Sequence, residues 1–302
     1  MTVRRAWILG GAVALVLLLA AGVWTWLAAS RPSTPEQSAT SFLRALESGE
    51  IGAVEATGIA APQSTLDAFA GASGLIEQAE VQRIDEDGDR ATATVSFQLA
   101  GDAHTASILL SQADGRWVVD DSTLGSVTAT TTIGSFITIG EAVVGSGEEI
   151  ALLPATYAVA AAPTELLAGE ATIVVLPGEA TQAAVEAHVR EEATAAAQAE
   201  LDRHLEACTA PVTGESAPDG CGIRIPWGAD LASITGIRFR IEQLPALALE
   251  GAGFHADGGI LVATVSGTAR DGSEESFTYR TDTWSVRGDL AFTADGLQLS
   301  VW

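Results

Sequence analysis

The residues with the clearest chemical potential are Cys208, Cys221 and His204. The chain of 302 residues holds two cysteines, so these either bridge each other or act as ligands. His204 lies four residues before Cys208, which on a helix brings imidazole and sulfur onto one face and sketches a metal site. Such a site needs reduced thiolates, and the spacing is too wide for a Cys-x-x-Cys redox motif. In an oxidising compartment the expected outcome is a structural disulfide. In the chain-entropy model it is worth about 3 kcal/mol and pins the end of a helix to the loop that follows.

The other chemistries weaken on inspection. Asp85, Asp87 and Asp89 alternate as in a calcium loop, but the sixth and twelfth positions hold Arg90 and Ser96 instead of Gly and Glu. A charged hairpin turn is the simpler reading. His104, His188, His204 and His255 form no pair at metal-ligand spacing, and no Gly-x-Ser-x-Gly elbow or dinucleotide-binding glycine loop occurs. All 15 basic residues are arginines. The absence of lysine excludes Ser-x-x-Lys acyl transfer, a P-loop and Schiff-base catalysis. A formal charge of −24 repels phosphate backbones and argues against nucleic acid as a partner. The expectation is therefore no catalytic set, no cofactor and no metal.

The chain begins with a stretch that sets the compartment. Residues 6–29 carry no charge, follow Arg4 and Arg5, and end near Trp24 and Trp26. Such a run is long enough for a helix to cross a hydrocarbon core of about 30 Å. The arginines orient it with residues 1–5 in the cytoplasm and everything after 29 outside. The apolar run exceeds the core of an ordinary signal peptide, which favours an uncleaved anchor, although Ala28, Ala29 and Ser30 offer a cleavage site. No cysteine is present here to carry a lipid.

A linker over 30–36 leads into a capping box, with Thr34 at the N-cap, Pro35 at N1 and Gln37 at N3. Ala39, Phe42, Leu43 and Leu46 make one helical face, and Gly49 ends it. Shorter helices are expected around 52–57 and 64–70. The period then drops to two: Ala91, Ala93, Val95, Phe97 and Leu99 alternate with polar residues, and Asp114-Gly115 turns the chain into Arg116–Asp120. Between 124 and 178, short β-prone runs separated by turns suggest a small all-β unit. A long alanine-rich helix is expected from Glu179 to about Ala207, its stripe running through Val185, Val189, Ala193, Ala196, Leu201, Leu205 and Cys208. Strands follow again, broken at Asp271-Gly272, Gly288-Asp289 and Asp295-Gly296.

The helix over 38–48, the strand over 90–99 and the closing Gly-Arg-Trp-Val-Val resemble the NTF2-like domains beside membrane anchors in bacterial envelope proteins. Leu153–Tyr157 resembles the Pro-x-x-Tyr stretch of small β-sandwich modules on bacterial surfaces. The expected fold class is α+β. It comprises a transmembrane helix at 6–29, an NTF2-like domain at 37–123, a small β module at 124–178, and a second helix-plus-sheet domain, a possible second NTF2-like copy, at 179–302. Trp117, Trp284 and Trp302 are expected either to fill cores or to wall an NTF2-like pocket. The resemblance implies fold rather than activity. The expected function is non-enzymatic: a single-pass membrane protein whose outer domains scaffold or bind other envelope or membrane proteins. The alternative is a module holding a small apolar or envelope-derived ligand in an NTF2-like pocket.

Overall fold

The computed structural model describes residues 34–209, 221–223 and 225–302. Of these, 55% are strand and 20% helix, so the α+β expectation is corrected to a mostly β architecture. Among the described residues no helix is long and apolar enough to cross a membrane. The expected span at 6–29 lies outside them.

The first sheet system opens with three helices: α1 (Pro35–Ser48), α2 (Ile51–Ala56) and α3 (Gln63–Ala70). The α1 start follows the capping chemistry, since the Gln37 N–H donates to Thr34 Oγ1 at 3.2 Å. Its end is Gly49 in the left-handed region, with the glycine N–H bonded to the Ala45 carbonyl. Four antiparallel strands come next: β1 (Glu77–Asp87), β2 (Arg90–Leu99), β3 (Asp102–Ala113) and β4 (Arg116–Val119). They pair in sequence order as a meander. Phe42, Leu43 and Leu46 of α1 fill its inner face together with Val95, Phe97, Ile108 and Leu110, all buried. Ser38 Oγ donates to the Trp117 carbonyl at 2.7 Å and ties α1 to β4.

The middle system contains β5 (Gly125–Thr131), β6 (Phe136–Ile139), β7 (Ala142–Gly145), β8 (Glu149–Leu152) and β9 (Ala155–Ala162). It continues through β10 (Leu167–Ala168), β11 (Glu170–Val175), β12 (Ala180–Val185) and β13 (His188–Val189). One sheet has the order β11-β9-β6-β7 and a second the order β12-β5-β8. Tyr157 is fully buried in the core, and its hydroxyl donates to the Leu153 carbonyl at 2.7 Å. The first system is joined to this one at small residues. Thr156 bonds through its backbone to Gly74, and Thr65 Oγ1 donates to the Ala151 carbonyl at 2.6 Å.

The long helix expected from Glu179 is a second correction. Residues 180–185 instead run as β12, parallel to Ser126–Thr131 of β5. β13 then pairs with β10, so the middle system continues past 178. Alanine favours helix by only a few tenths of a kcal/mol per residue over most alternatives. Completing a sheet and burying Val185 outweighs that preference. Helix α4 (Glu191–Cys208) starts where Glu191 and Glu192 suit the positive end of the helix dipole. Its buried stripe is Ala193, Ala197, Leu201, Leu205 and Cys208, so Ala197 takes the place expected of Ala196.

The last system is β14 (Leu231–Gln243), β15 (Ala246–Glu250), β16 (Gly253–Ala269), β17 (Glu274–Phe292) and β18 (Leu297–Val301). The order is β14-β16-β17-β18, with β15 also pairing to β16. The break expected at Gly288-Asp289 is absent, and β17 runs unbroken through it. The missing side chain of Gly288 is what permits this, because a Cβ there would lie 2.1 Å from the Ser300 carbonyl oxygen of the neighbouring strand. Gln198 of α4 anchors the helix to the sheet, donating to the Pro245 carbonyl at 3.1 Å and accepting from Leu247 N–H at 2.7 Å.

Candidate functional site

The cysteines form the expected bridge. Cys208 and Cys221 are joined by an S–S bond of 2.07 Å, and both are buried. His204 Nε2 lies 3.6 Å from Cys208 Sγ. These three residues are the one His/Cys/Asp/Glu group among the described residues whose ligand atoms all fall within 4.8 Å of one another. Both sulfurs are committed to the disulfide, so neither offers a thiolate to a metal. Thiol labelling of denatured, unreduced chain should therefore find no reactive cysteine. A Cys208→Ser/Cys221→Ser double variant should lose about 3 kcal/mol of stability, read from the urea midpoint.

The remaining expected residues disperse. Trp117 and Trp284 are buried in the core on separate sheets, and Trp284 Nε1 has no hydrogen-bond partner among the described residues. Trp302, by contrast, is 71% exposed, which overturns a core role for it. Asp85 is bonded by Arg83 at 2.6 Å within its own strand, and Gly88-Asp89 form the β1–β2 turn. Asp85 and Asp87 border a cavity of about 480 Å³ with Arg90, Leu109 and Asp120. Two hydrogen bonds from Ser122, side chain and backbone, hold the Asp120 carboxyl below its usual range. His104 stacks on Phe97 at 5.7 Å, and His188 is exposed on β13.

A second assembly of functional groups lies on the last sheet. Strand alternation divides β15 to β18 into two faces. Leu247, Phe254, Ala256, Val286 and Leu290 are buried in the core that includes α4. The opposite face carries Glu250 on β15, Gly253, His255 and Asp257 on β16, and Arg287 and Asp289 on β17. Cross-strand register places His255 against Arg287 and Gly253 against Asp289. Trp302 follows β18 and is held beside β17 by its N–H, which donates to the Arg287 carbonyl at 3.1 Å. Together these residues line an open trough of about 480 Å³.

Three carboxylates thus face one guanidinium and one imidazole. His255 Nδ1 stands 3.5 Å from Glu250 Oε2. At that separation the two attract when the ring is protonated, but the nitrogen is buried without a hydrogen bond among the described residues. Arg287 makes no ion pair among the described residues. Half-buried Gly253 keeps the floor low between the longer side chains.

Sequence reasoning missed this face. Its only linear trace is alternation, His255-x-Asp257 and Arg287-x-Asp289, which is indistinguishable from the solvated side of any antiparallel strand. Comparison with known proteins finds no matching family model, no matching curated protein and no matching solved structure.

Proposed function

We propose that this chain is a non-enzymatic protein of the cell envelope whose outer part works by binding and scaffolding. The observation that carries this reading is the continuity of the core. One buried apolar cluster runs from Ala39 of α1 to Phe292 of β17, and side chains from all three sheet systems contribute to it. A continuous core favours a rigid body that presents wide sheet faces over domains that close on a substrate. Those faces are polar and threonine-rich: Thr264 meets Thr278 at 3.4 Å, and Ser266 meets Ser276 at 3.2 Å, both exposed.

Location outside the cytoplasm rests on the uncharged run at 6–29 behind Arg4 and Arg5, with the buried disulfide as support. The resemblance of the first unit to NTF2-like domains beside membrane anchors points the same way.

Photo-cross-linkers placed at exposed Leu109 and Val143 in intact cells test the reading. They are expected to capture the same envelope protein reproducibly, and protease added outside the cell should digest everything after residue 30. Failure to capture any envelope protein from either position would refute the scaffold role. Protection from external protease would refute the location.

A further inference from the structure

We propose that the trough on β15–β18 binds a neutral or amino-substituted saccharide. This deepens the binding role proposed above and rests on it. The trough brings together groups that suit a sugar. Trp302, 71% exposed as a residue, offers its indole at one side of the trough. The C–H face of a pyranose ring packs on such a surface, as apolar groups do on aromatic side chains generally. Arg287, Asp289, Asp257 and Glu250 surround it with planar, two-pronged groups. A carboxylate accepts from two neighbouring hydroxyls, and a guanidinium donates to two, so vicinal diols are matched at both prongs.

Charge and size narrow the class. Three carboxylates against one guanidinium repel phosphorylated or sulfated polymers, and they tolerate neutral or ammonium-bearing rings. A volume of about 480 Å³ falls in the range of small-molecule sites, about 300–1,000 Å³. From Glu250 on β15 to Trp302 beside β18 the trough crosses four strands. Three spacings of about 4.8 Å make roughly 14 Å, the reach of a short oligosaccharide. A peptide fits less well, because the backbone groups of the floor are engaged with neighbouring strands.

The test is titration of the purified full-length protein with chitotetraose and cellotetraose, followed by intrinsic tryptophan fluorescence and calorimetry. Saturable binding of at least one tetrasaccharide is expected, with a fluorescence change that Trp302→Ala abolishes. Trp302→Ala and Arg287→Ala should each weaken binding at least tenfold. Ser96→Ala, on the outer face of the first sheet, should leave it unchanged. No saturable binding to either sugar overturns the proposal, as does binding that survives both trough substitutions. Saturable binding of a tetra-alanine control at the same site, with no sugar binding, overturns the ligand class. Cross-linking from Leu109 and Val143 in the Trp302→Ala background separates this idea from the scaffold role. Loss of sugar binding with cross-links retained leaves both readings standing; cross-links absent in wild type with sugar binding intact refutes the scaffold alone.

Discussion

Tyr157→Ala is expected to be the most damaging single truncation in the middle β system. Tyr157 is the largest fully buried side chain among the described residues. Removing a buried aromatic ring costs about 3–5 kcal/mol through lost transfer energy and the cavity left behind. The Leu153 carbonyl also loses the hydroxyl that donates to it at 2.7 Å. Tyr157→Phe keeps the ring and should cost about 1–2 kcal/mol. Urea midpoints of the two variants separate packing from hydrogen bonding, and equal losses would mean that the ring contributes little.

The same residue predicts a pH dependence. Burial pushes the Tyr157 phenol far above its ordinary value. The folded state therefore keeps the proton while the unfolded chain releases it near pH 10. The resulting stability is fully present below about pH 10 and is lost as pH rises above it. Tyr157→Phe should remove that alkaline component, leaving a flatter stability profile above pH 10. An unchanged profile would show that Tyr157 does not carry it.

The second large effect is expected at Gly140, where the first sheet system meets the middle one. Gly140 has φ +58°, and a Cβ there would lie 2.1 Å from the carbonyl oxygen of Ala68 at the end of α3. A Cβ on Gly71 would in turn approach the Gly140 carbonyl carbon at 2.6 Å. Both contacts are backbone, so no flexible side chain can move aside. Gly140→Ala combines a left-handed backbone penalty of about 1–2 kcal/mol with this clash, and it should cost several kcal/mol in all. Gly147→Ala is the matched control, since Gly147 has φ +83° but open space around its Cβ position. Gly140→Ala should lower the melting temperature well beyond Gly147→Ala and expose the 70–76 connection to proteolysis. Equal effects would show that backbone conformation alone matters at this joint.

Local chemistry was legible wherever neighbours in sequence are also neighbours in space. The Thr34 cap, the Gly49 stop, the alternation of β2 and the Asp114-Gly115 turn all follow from a few adjacent residues, because capping and turn geometry involve bonds across three or four positions. The disulfide was legible too, as two cysteines leave one pairing. Residues 180–185 were not. Their composition favours a helix, and only the strand at 126–131 makes them β. Gly288 reads as a break in one dimension, and becomes an asset only when Ser300 presses against it.

The candidate site belongs to this second class. Glu250, His255, Arg287, Asp289 and Trp302 come from four separate segments, and none forms a motif with its chain neighbours. Cross-strand register and the direction of each side chain assemble them, and both are set by which sheet face is buried in the core shared with α4. By itself, the order of residues determined an acidic, lysine-free chain with an uncharged run near its start, a single possible disulfide, and the alternation that makes strands. The tertiary structure decided which alternating face became core and which became a trough. Burial is a property of contacts between distant segments, and a pattern of period two reads the same from either side.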